Sequence, residues 1–172
     1  FCLDKVYELS DYIAINISSP NTENLRDLSS KDYLVNLLTK IKSKQELLSS
    51  TYGYRPIFIK ISPDEDLQNL KEICVSILDI GLDGIICSNT TIDHCDAKGK
   101  GGLSGTPLKD KATRTLLFVK DIVRDKIPVM ASGGVMSIQD YQEKIDCGAD
   151  LVQVYTGFIY EGPKLINDLV NL

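Results

Sequence analysis

Five short apolar segments alternate along the chain with longer amphipathic segments. The apolar segments cover about 13–17, 56–62, 84–89, 128–134 and 151–157, and each of them runs into small or polar residues. Such short segments predict strands whose two faces are both buried. Their alternation with helical segments predicts a parallel sheet in which each strand is joined to the next by a helical crossover.

The segments between the predicted strands have the apolar spacing of helices, with hydrophobic residues recurring every three or four positions. The first helix is expected over about 31–48, with Ser29 and Ser30 as capping residues and a turn over 50–56. The second helix is expected to open at Pro63 and Asp64 and to stop at Gly81. Further helices are expected over about 109–124, over 137–148 with Ser137 as the cap, and after Gly162 and Pro163.

The strand–helix order repeats five times, which predicts an α/β fold. The unit length favours a (β/α)8 TIM barrel over a doubly wound sheet, and no GxGxxG motif follows the first strand. A complete barrel needs roughly 250 residues, so a chain of 172 residues would supply about five β/α units. We therefore expect one domain over 1–172 that is the C-terminal part of a larger barrel, with the first barrel strands absent.

Composition and charge restrict the possible partners. The net charge is −5 with acidic and basic residues mixed along the chain, which gives no basic surface for nucleic acid. The five cysteines form no CxxC pair and are expected to be reduced thiols. His94 lies beside Cys95 without further ligands at a usual spacing, so no metal site is predicted.

Polar side chains are concentrated where the first and third strands end. In a (β/α) barrel, catalytic side chains lie at this end of the strands. Pro20 stops sheet pairing after the first strand. The carboxamides of Asn16, Asn21 and Asn89 could bind a flat polar heterocycle, since each offers a donor and an acceptor, or they could cap loops in Asx turns.

Gly133 and Gly134 end one predicted strand, and Tyr155-Thr156-Gly157 ends the next. Gly102 and Gly105, with Ser104 between them, could add a third rim. Barrels often hold a phosphate with the loops after strands 7 and 8. Glycine lets the backbone approach a phosphate closely, and N–H groups supply the donors. The alternative is that these glycines only shape tight strand-to-helix turns.

Lys60 lies inside an otherwise apolar strand. An unpaired ammonium is costly to bury. The lysine therefore either reaches the barrel mouth, where it meets an anion or an electron-rich ring, or pairs with a structural carboxylate.

A series of motifs resembles class 2 dihydroorotate dehydrogenase: NISSPNT (16–22), FIKISPD (58–64), SNTT (88–91), GGLSGTPL (101–108), ASGG (131–134) and LVQVYTGFIYEGP (151–163). The resemblance implies an FMN-binding barrel that oxidises dihydroorotate to orotate in de novo pyrimidine biosynthesis, with ubiquinone as the second electron acceptor. It also implies upstream helices that form a quinone tunnel and contact the mitochondrial inner membrane, or the cytoplasmic membrane in a bacterium.

The resemblance further implies roles for single residues. Ser19 falls on the catalytic base that takes the C5 proton while hydride leaves C6 for the flavin, where the class 1 enzymes have a cysteine. Asn16 falls on a residue that contacts both flavin and substrate. Substrate contacts are implied for Asn21, Asn89 and Thr90, and flavin contacts for Lys60, Ser88, Gly105, Gly134, Tyr155 and Thr156.

The chain departs from the family pattern at Glu23 and Asn24, where Pro-Gly is expected, and this puts the motion of a substrate lid in question more than the chemistry.

Two alternatives stay open. Another phosphate-binding barrel, such as a different flavin oxidoreductase or a sugar-phosphate isomerase, would keep the glycines without needing NISSPNT and SNTT together. A non-catalytic binding or scaffold segment would expose the edges of an unclosed sheet.

Overall fold

The computed structural model describes residues 2–18, 31–93 and 101–172, with residues 31 and 32 described by their backbone only. In chain order the elements are α1 (Cys2–Val6), β1 (Ile13–Asn16), α2 (Lys31–Tyr52), β2 (Ile57–Ile61), α3 (Leu67–Ile80), β3 (Gly84–Cys87), a 3-10 turn (Thr106–Leu108), α4 (Lys109–Val123), β4 (Val129–Ser132), α5 (Ile138–Asp146), β5 (Leu151–Gln153), α6 (Thr156–Glu161) and α7 (Pro163–Val170).

The strands form one five-stranded sheet in the order β1-β2-β3-β4-β5, and every neighbouring pair is parallel. The register pairs Asn16 with Lys60, Lys60 with Ile86, and Ser132 with Gln153. Sequential order and parallel pairing are what consecutive right-handed β/α units produce. The predicted α/β architecture is therefore confirmed, and the carboxyl ends of all five strands lie along one edge of the sheet.

The two faces of the sheet differ in what covers them. Residues such as Ile59, Ile85 and Val129 belong to the main core, which α2, α3 and α4 share with the sheet. The alternate residues Phe58, Ile86 and Met130 form a separate buried cluster, because successive side chains along a strand point to opposite faces. The middle strands β2, β3 and β4 are thus buried on both faces, as their apolar composition predicted. The same prediction is wrong for β1 and β5, the outer strands of the five, which leave Ala14 and Leu151 exposed.

The helix boundaries confirm two predicted caps and correct one start. Ser137 caps α5 by accepting a hydrogen bond from the N–H of Asp140, and Gly81 ends α3 at a φ of 78°. The predicted opening of α3 at Pro63 and Asp64 is wrong. The helix begins at Leu67 and is capped by Asp66, since the Asp64 carboxylate instead accepts hydrogen bonds from the loop after β3.

Two further boundaries differ from the predictions. Helix α2 continues to Tyr52, into the predicted turn over 50–56. Strand β5 ends at Gln153, and the apolar segment after it forms α6 instead of completing a strand over 151–157. A Cβ on Gly157 would lie 2.3 Å from the carbonyl oxygen of Val135, so α6 packs its backbone directly onto the loop after β4. That contact between distant segments is not encoded in local periodicity.

No helix in the three described ranges is long and apolar enough to cross a membrane.

Candidate functional site

A cavity of about 630 Å³ lies at the edge of the sheet where the strands end. Strand β2, the loops after β3, β4 and β5 and the glycine segment before α4 all contribute to its wall. The structure brings together residues that lie far apart in the sequence, as expected for the mouth of a (β/α) barrel. The predicted site residues that line the cavity are Lys60, Ser88, Asn89, Thr90, Gly105, Gly134, Tyr155 and Thr156.

A hydrogen-bonded cluster joins the ends of β1 and β3 across β2. The amide nitrogen of Asn89 donates to Asn16 Oδ1 at 3.2 Å and to the carbonyl oxygen of Ser18 at 3.1 Å. The Ser18 hydroxyl lies 3.0 Å from the carbonyl oxygen of Lys60. The cluster holds the Asn16 side chain beside Asn89, while the amide nitrogen of Asn16 donates no hydrogen bond to any described residue.

Asn89 also has a structural role, because its Oδ1 accepts a hydrogen bond from the N–H of Thr90 at 2.9 Å. This is the loop-capping function that was the alternative to ligand binding for this residue. Both functions are compatible, since capping fixes the side chain at the cavity wall. Ser19 and Asn21, the predicted base and a predicted substrate ligand, lie outside the described residues, as do His94 and Cys95.

The Lys60 side chain is half-buried and lines the cavity. Its ammonium group forms no hydrogen bond or ion pair with the part of the chain that the structure describes, and burial lowers its pKa. One predicted alternative was that Lys60 pairs with a structural carboxylate. No such partner is found among the described residues. An unpaired ammonium at a cavity wall favours the other alternative, a contact with a bound anion or ring.

The opposite end of the cavity is formed by backbone. The N–H groups of Gly133, Gly134 and Val135 donate to no residue that the structure describes, and all three residues line the cavity. Gly134 has a φ of 77°, and a Cβ there would lie 2.3 Å from Lys109 Cα. Only glycine permits this contact, so the loop after β4 can lie flat against the start of α4 with its donors free.

The glycine segment before α4 forms a third side of the same region. The hydroxyl groups of Ser104 and Thr156 lie 2.8 Å apart and share a hydrogen bond. Thr91 and Leu103 exchange two backbone hydrogen bonds, of 3.1 Å and 2.7 Å, which close the loop between β3 and this segment. Residues 102–105 are thereby held against the end of β5, where the sequence predicted a third rim.

Sequence reasoning missed Ser132, Gln153 and Tyr12, which also line the cavity. Ser132 follows Met130 by two positions on β4, and Gln153 is its partner in the register on β5. The signal that identified Lys60, a polar residue inside an apolar strand, applies equally to Gln153. The inward position of Ser132 follows from the two-residue period of a strand once Met130 is known to face inward.

An ion pair between α4 and the loop after β2 supports the cavity from outside. Lys111 Nζ lies 2.6 Å from Asp64 Oδ1 and 3.1 Å from Asp93 Oδ2. The Asp64 carboxylate also accepts hydrogen bonds from the Thr91 hydroxyl and from the N–H of Ile92. Burial alone would raise the pKa of Asp64, but these donors outweigh it and hold the pKa below its ordinary value.

Replacing Asp64 by asparagine is expected to lower the free energy of unfolding by about 2 kcal/mol at pH 7, since Lys111 loses its partly buried partner. Because the folded-state pKa is lowered, the wild-type contribution is complete above the ordinary value of 3.8 and is lost as the pH falls through the lowered value. Urea unfolding at pH 7 and at pH 3 measures both effects.

The matched control for this prediction is Asp93→Asn. Asp93 contacts the same ammonium group, but its side chain is 80% exposed. Its loss should cost less than about 0.5 kcal/mol. Equal destabilisation by the two variants would contradict the role assigned to Asp64.

The family model for dihydroorotate dehydrogenase matches residues 1–171. The chain belongs to the dihydroorotate dehydrogenase family. It is 46% identical over 177 residues to the dihydroorotate dehydrogenase (quinone) of Aliivibrio salmonicida, a match that covers 99% of this chain and 53% of that protein. It is 45% identical to the protein of the same name from Dichelobacter nodosus, again over 99% of this chain and 52% of the relative. The resemblance predicted from the motifs is confirmed.

Solved structures agree with the family assignment. The Eimeria tenella DHODH in complex with ferulenol matches with a TM-score of 0.92 and 32% identity, over 99% of this chain and 50% of that one. The ligand-free form from the same organism matches with a TM-score of 0.88 and 33% identity, over 98% and 52% of the two chains. The predicted TIM barrel fold is confirmed, with five β/α units present here. The chain spans about half the length of the relatives it matches.

Proposed function

We propose that the full-length protein oxidises dihydroorotate to orotate in pyrimidine biosynthesis, with FMN as the first electron acceptor and ubiquinone as the second. One observation carries the proposal: a single cavity is lined by polar strand-end residues, by Lys60 and by the loop 133–135, and neither the Lys60 ammonium group nor the N–H groups of that loop have a partner among the described residues. Membership of the dihydroorotate dehydrogenase family supports it. The match over residues 1–171 favours this activity over a sugar-phosphate isomerase or a scaffold segment.

The residues present fit FMN. Its phosphate would be held by the N–H groups of residues 133–135, which have no partner among the described residues, and by Thr156, which lines the same cavity. A Cβ on Gly134 would lie 2.3 Å from Lys109 Cα, and one on Gly105 would lie 3.0 Å from Thr156 Cγ2. Glycine at both positions therefore lets the backbone around the phosphate site pack this closely. When bound, FMN supplies a ring that accepts hydride.

Side chains at the other end of the cavity, together with Asn16, which does not line the cavity but contacts Asn89 at its wall, would bind and orient the substrate. Among the described residues the Asn16 amide nitrogen donates no hydrogen bond, and Asn89 Oδ1 accepts one, from Thr90. A donor on Asn16 and an acceptor site on Asn89 are thus left for the ring amide groups of dihydroorotate. Thr90 follows at the same wall. Lys60 supplies a positive charge close to Asn16, its partner in the sheet register. Holding the reacting atoms in a fixed orientation is the main contribution expected from these residues.

Ser19 is the proposed base that takes the proton from C5. A serine hydroxyl is a weak base at neutral pH and needs an activating partner. We infer a hydrogen-bonded relay through Thr22 or water that carries the proton towards solvent. The neighbouring Ser18 is a poorer candidate, because its buried hydroxyl already contacts Asn16, Asn89 and the Lys60 carbonyl group.

Ubiquinone is dissolved in the membrane, so we infer that the full-length protein contacts a membrane when it transfers electrons to quinone. The curated relatives reported above are bacterial, which favours the bacterial cytoplasmic membrane as that location. The mitochondrial inner membrane stays a prediction from the motifs alone.

Anaerobic mixing of the full-length protein with dihydroorotate tests the proposed function. The flavin absorption band at about 450 nm should bleach rapidly and return when a quinone is added. Bound flavin that does not bleach would contradict the substrate assignment while leaving the cofactor assignment in place. A full-length protein that binds no flavin would overturn both assignments.

A further inference from the structure

A chain of ion pairs and hydrogen bonds lies behind the loop after β4, away from the cavity. It begins at Gly134, which packs on the backbone of Lys109: a Cβ on Gly134 would lie 2.3 Å from Lys109 Cα and 2.8 Å from its nitrogen. The position of the free N–H groups at 133–135 therefore depends on where the first residue of α4 lies.

The Lys109 side chain crosses from α4 to α5. Its ammonium group lies 2.6 Å from Asp140 Oδ1 and 2.8 Å from Glu143 Oε2. The hydrogen bonds to these two carboxylates raise the pKa of Lys109, and Lys109 helps hold the pKa of Asp140 below its ordinary value although burial opposes this. Lys109 and Asp140 are consequently both charged at neutral pH.

Asp140 links this ion pair to the loop itself. Its second oxygen, Oδ2, accepts a hydrogen bond from the N–H of Met136 at 3.0 Å and one from the Ser137 hydroxyl at 2.9 Å. The Asp140 carboxylate thus binds the Lys109 side chain and also the end of the loop, at Met136 and Ser137. The start of the same loop, at Gly134, packs on the backbone of Lys109. The loop is fixed at both ends by the same pair of residues.

A buried lysine, Lys144, contacts the backbone of Lys109. Lys144 is 1% exposed, and its ammonium group donates to the carbonyl oxygen of Lys109 at 3.3 Å and to the Thr113 hydroxyl. The carbonyl group and the side chain of Lys109 are therefore both restrained. The Lys144 contacts stabilise this backbone arrangement over others, because breaking them would leave a buried ammonium group unpaired.

We infer that Lys109 and Asp140 are positioning residues for phosphate recognition: their ion pair holds the loop 133–137 so that its free N–H groups converge on the phosphate of the cofactor. Neither side chain is among those that line the cavity, so they act through the backbone. The inference rests on the proposed function, since FMN supplies the phosphate.

The test compares FMN with riboflavin, which has the same ring and no phosphate. Affinities of the full-length apoprotein for each are measured by flavin fluorescence quenching. Asp140→Asn and Lys109→Met should each weaken FMN binding about tenfold, the loss of one to two charge-assisted hydrogen bonds, and should leave riboflavin binding unchanged. Lys109→Arg, which keeps the charge, should retain most of the preference for FMN.

Lys44→Met is the matched control, because it breaks an ion pair between Lys44 and Asp4, neither of which lines the cavity. It should leave both affinities unchanged. Equal losses for FMN and riboflavin in the Asp140 and Lys109 variants, or no loss for either, would overturn the inference while the proposed function stands. A wild-type protein that binds neither flavin would overturn the proposed function and this inference with it.

Discussion

Replacing Gly134 by alanine is expected to abolish tight FMN binding and to lower the free energy of unfolding by about 3 kcal/mol. The residue has a φ of 77°, where a side chain is strained, and the added Cβ would lie 2.3 Å from Lys109 Cα. Because Lys109 Cα belongs to the backbone of α4, it cannot rotate away. The loop must move and take its free N–H groups with it. Urea unfolding and flavin titration of the full-length protein measure the two effects.

Gly81→Ala separates backbone strain from the steric contact. Gly81 has a φ of 78°, almost the same as Gly134, but a Cβ there would meet no atom within 4 Å. The control should therefore cost about 1 kcal/mol for strain and leave FMN affinity unchanged. If the two alanine variants were equally stable and bound FMN equally well, the contact between Gly134 and Lys109 would have no role in the site.

Replacing Ser19 by alanine is expected to slow flavin reduction by dihydroorotate about 10²- to 10⁴-fold, the range for loss of a general base. FMN binding should be unchanged, because no flavin contact is assigned to Ser19. Stopped-flow absorbance under anaerobic conditions gives the reduction rate at saturating substrate. The change should appear in that rate and not in the substrate concentration needed for half-saturation.

Ser50→Ala serves as the control for Ser19→Ala. Ser50 lies exposed near the end of α2, and its hydroxyl donates to the carbonyl oxygen of Leu47. This variant should reduce flavin at the wild-type rate. Full-speed reduction by the Ser19 variant as well would show that another group takes the proton.

Much of the fold could be predicted from the sequence because two kinds of signal are local: the short apolar segments of strands and the residue types that cap helices. Short apolar segments such as 84–87 are strands, and Ser137 and Gly81 cap helices where their residue types predict. Motif order added the family, which the match over residues 1–171 confirms. Lys60 was identified for a physical reason that needs no structure: a charged residue in a buried strand must find a partner.

Errors occurred where a distant segment outweighs local preference. The sequence ProAsp at 63–64 has the appearance of a helix start, yet the Asp64 carboxylate binds Lys111 and the loop after β3. The apolar segment after Gln153 has the composition of a strand, yet it turns into α6, where Gly157 packs on the backbone at Val135. Both contacts join residues more than 20 positions apart in the sequence, which is farther than a periodicity of apolar residues can indicate.

The sequence by itself determined the order of elements, the buried faces of the strands and the residue types available at each strand end. Only the tertiary structure decided which of these residues share a cavity, which of them already have partners, and which groups stay free to bind a ligand. The physical reason is that hydrogen bonds and ion pairs join residues that are close in the folded chain, whatever their distance in the sequence. Asn89 donates to Asn16, and Lys109 pairs with Asp140, across separate β/α units.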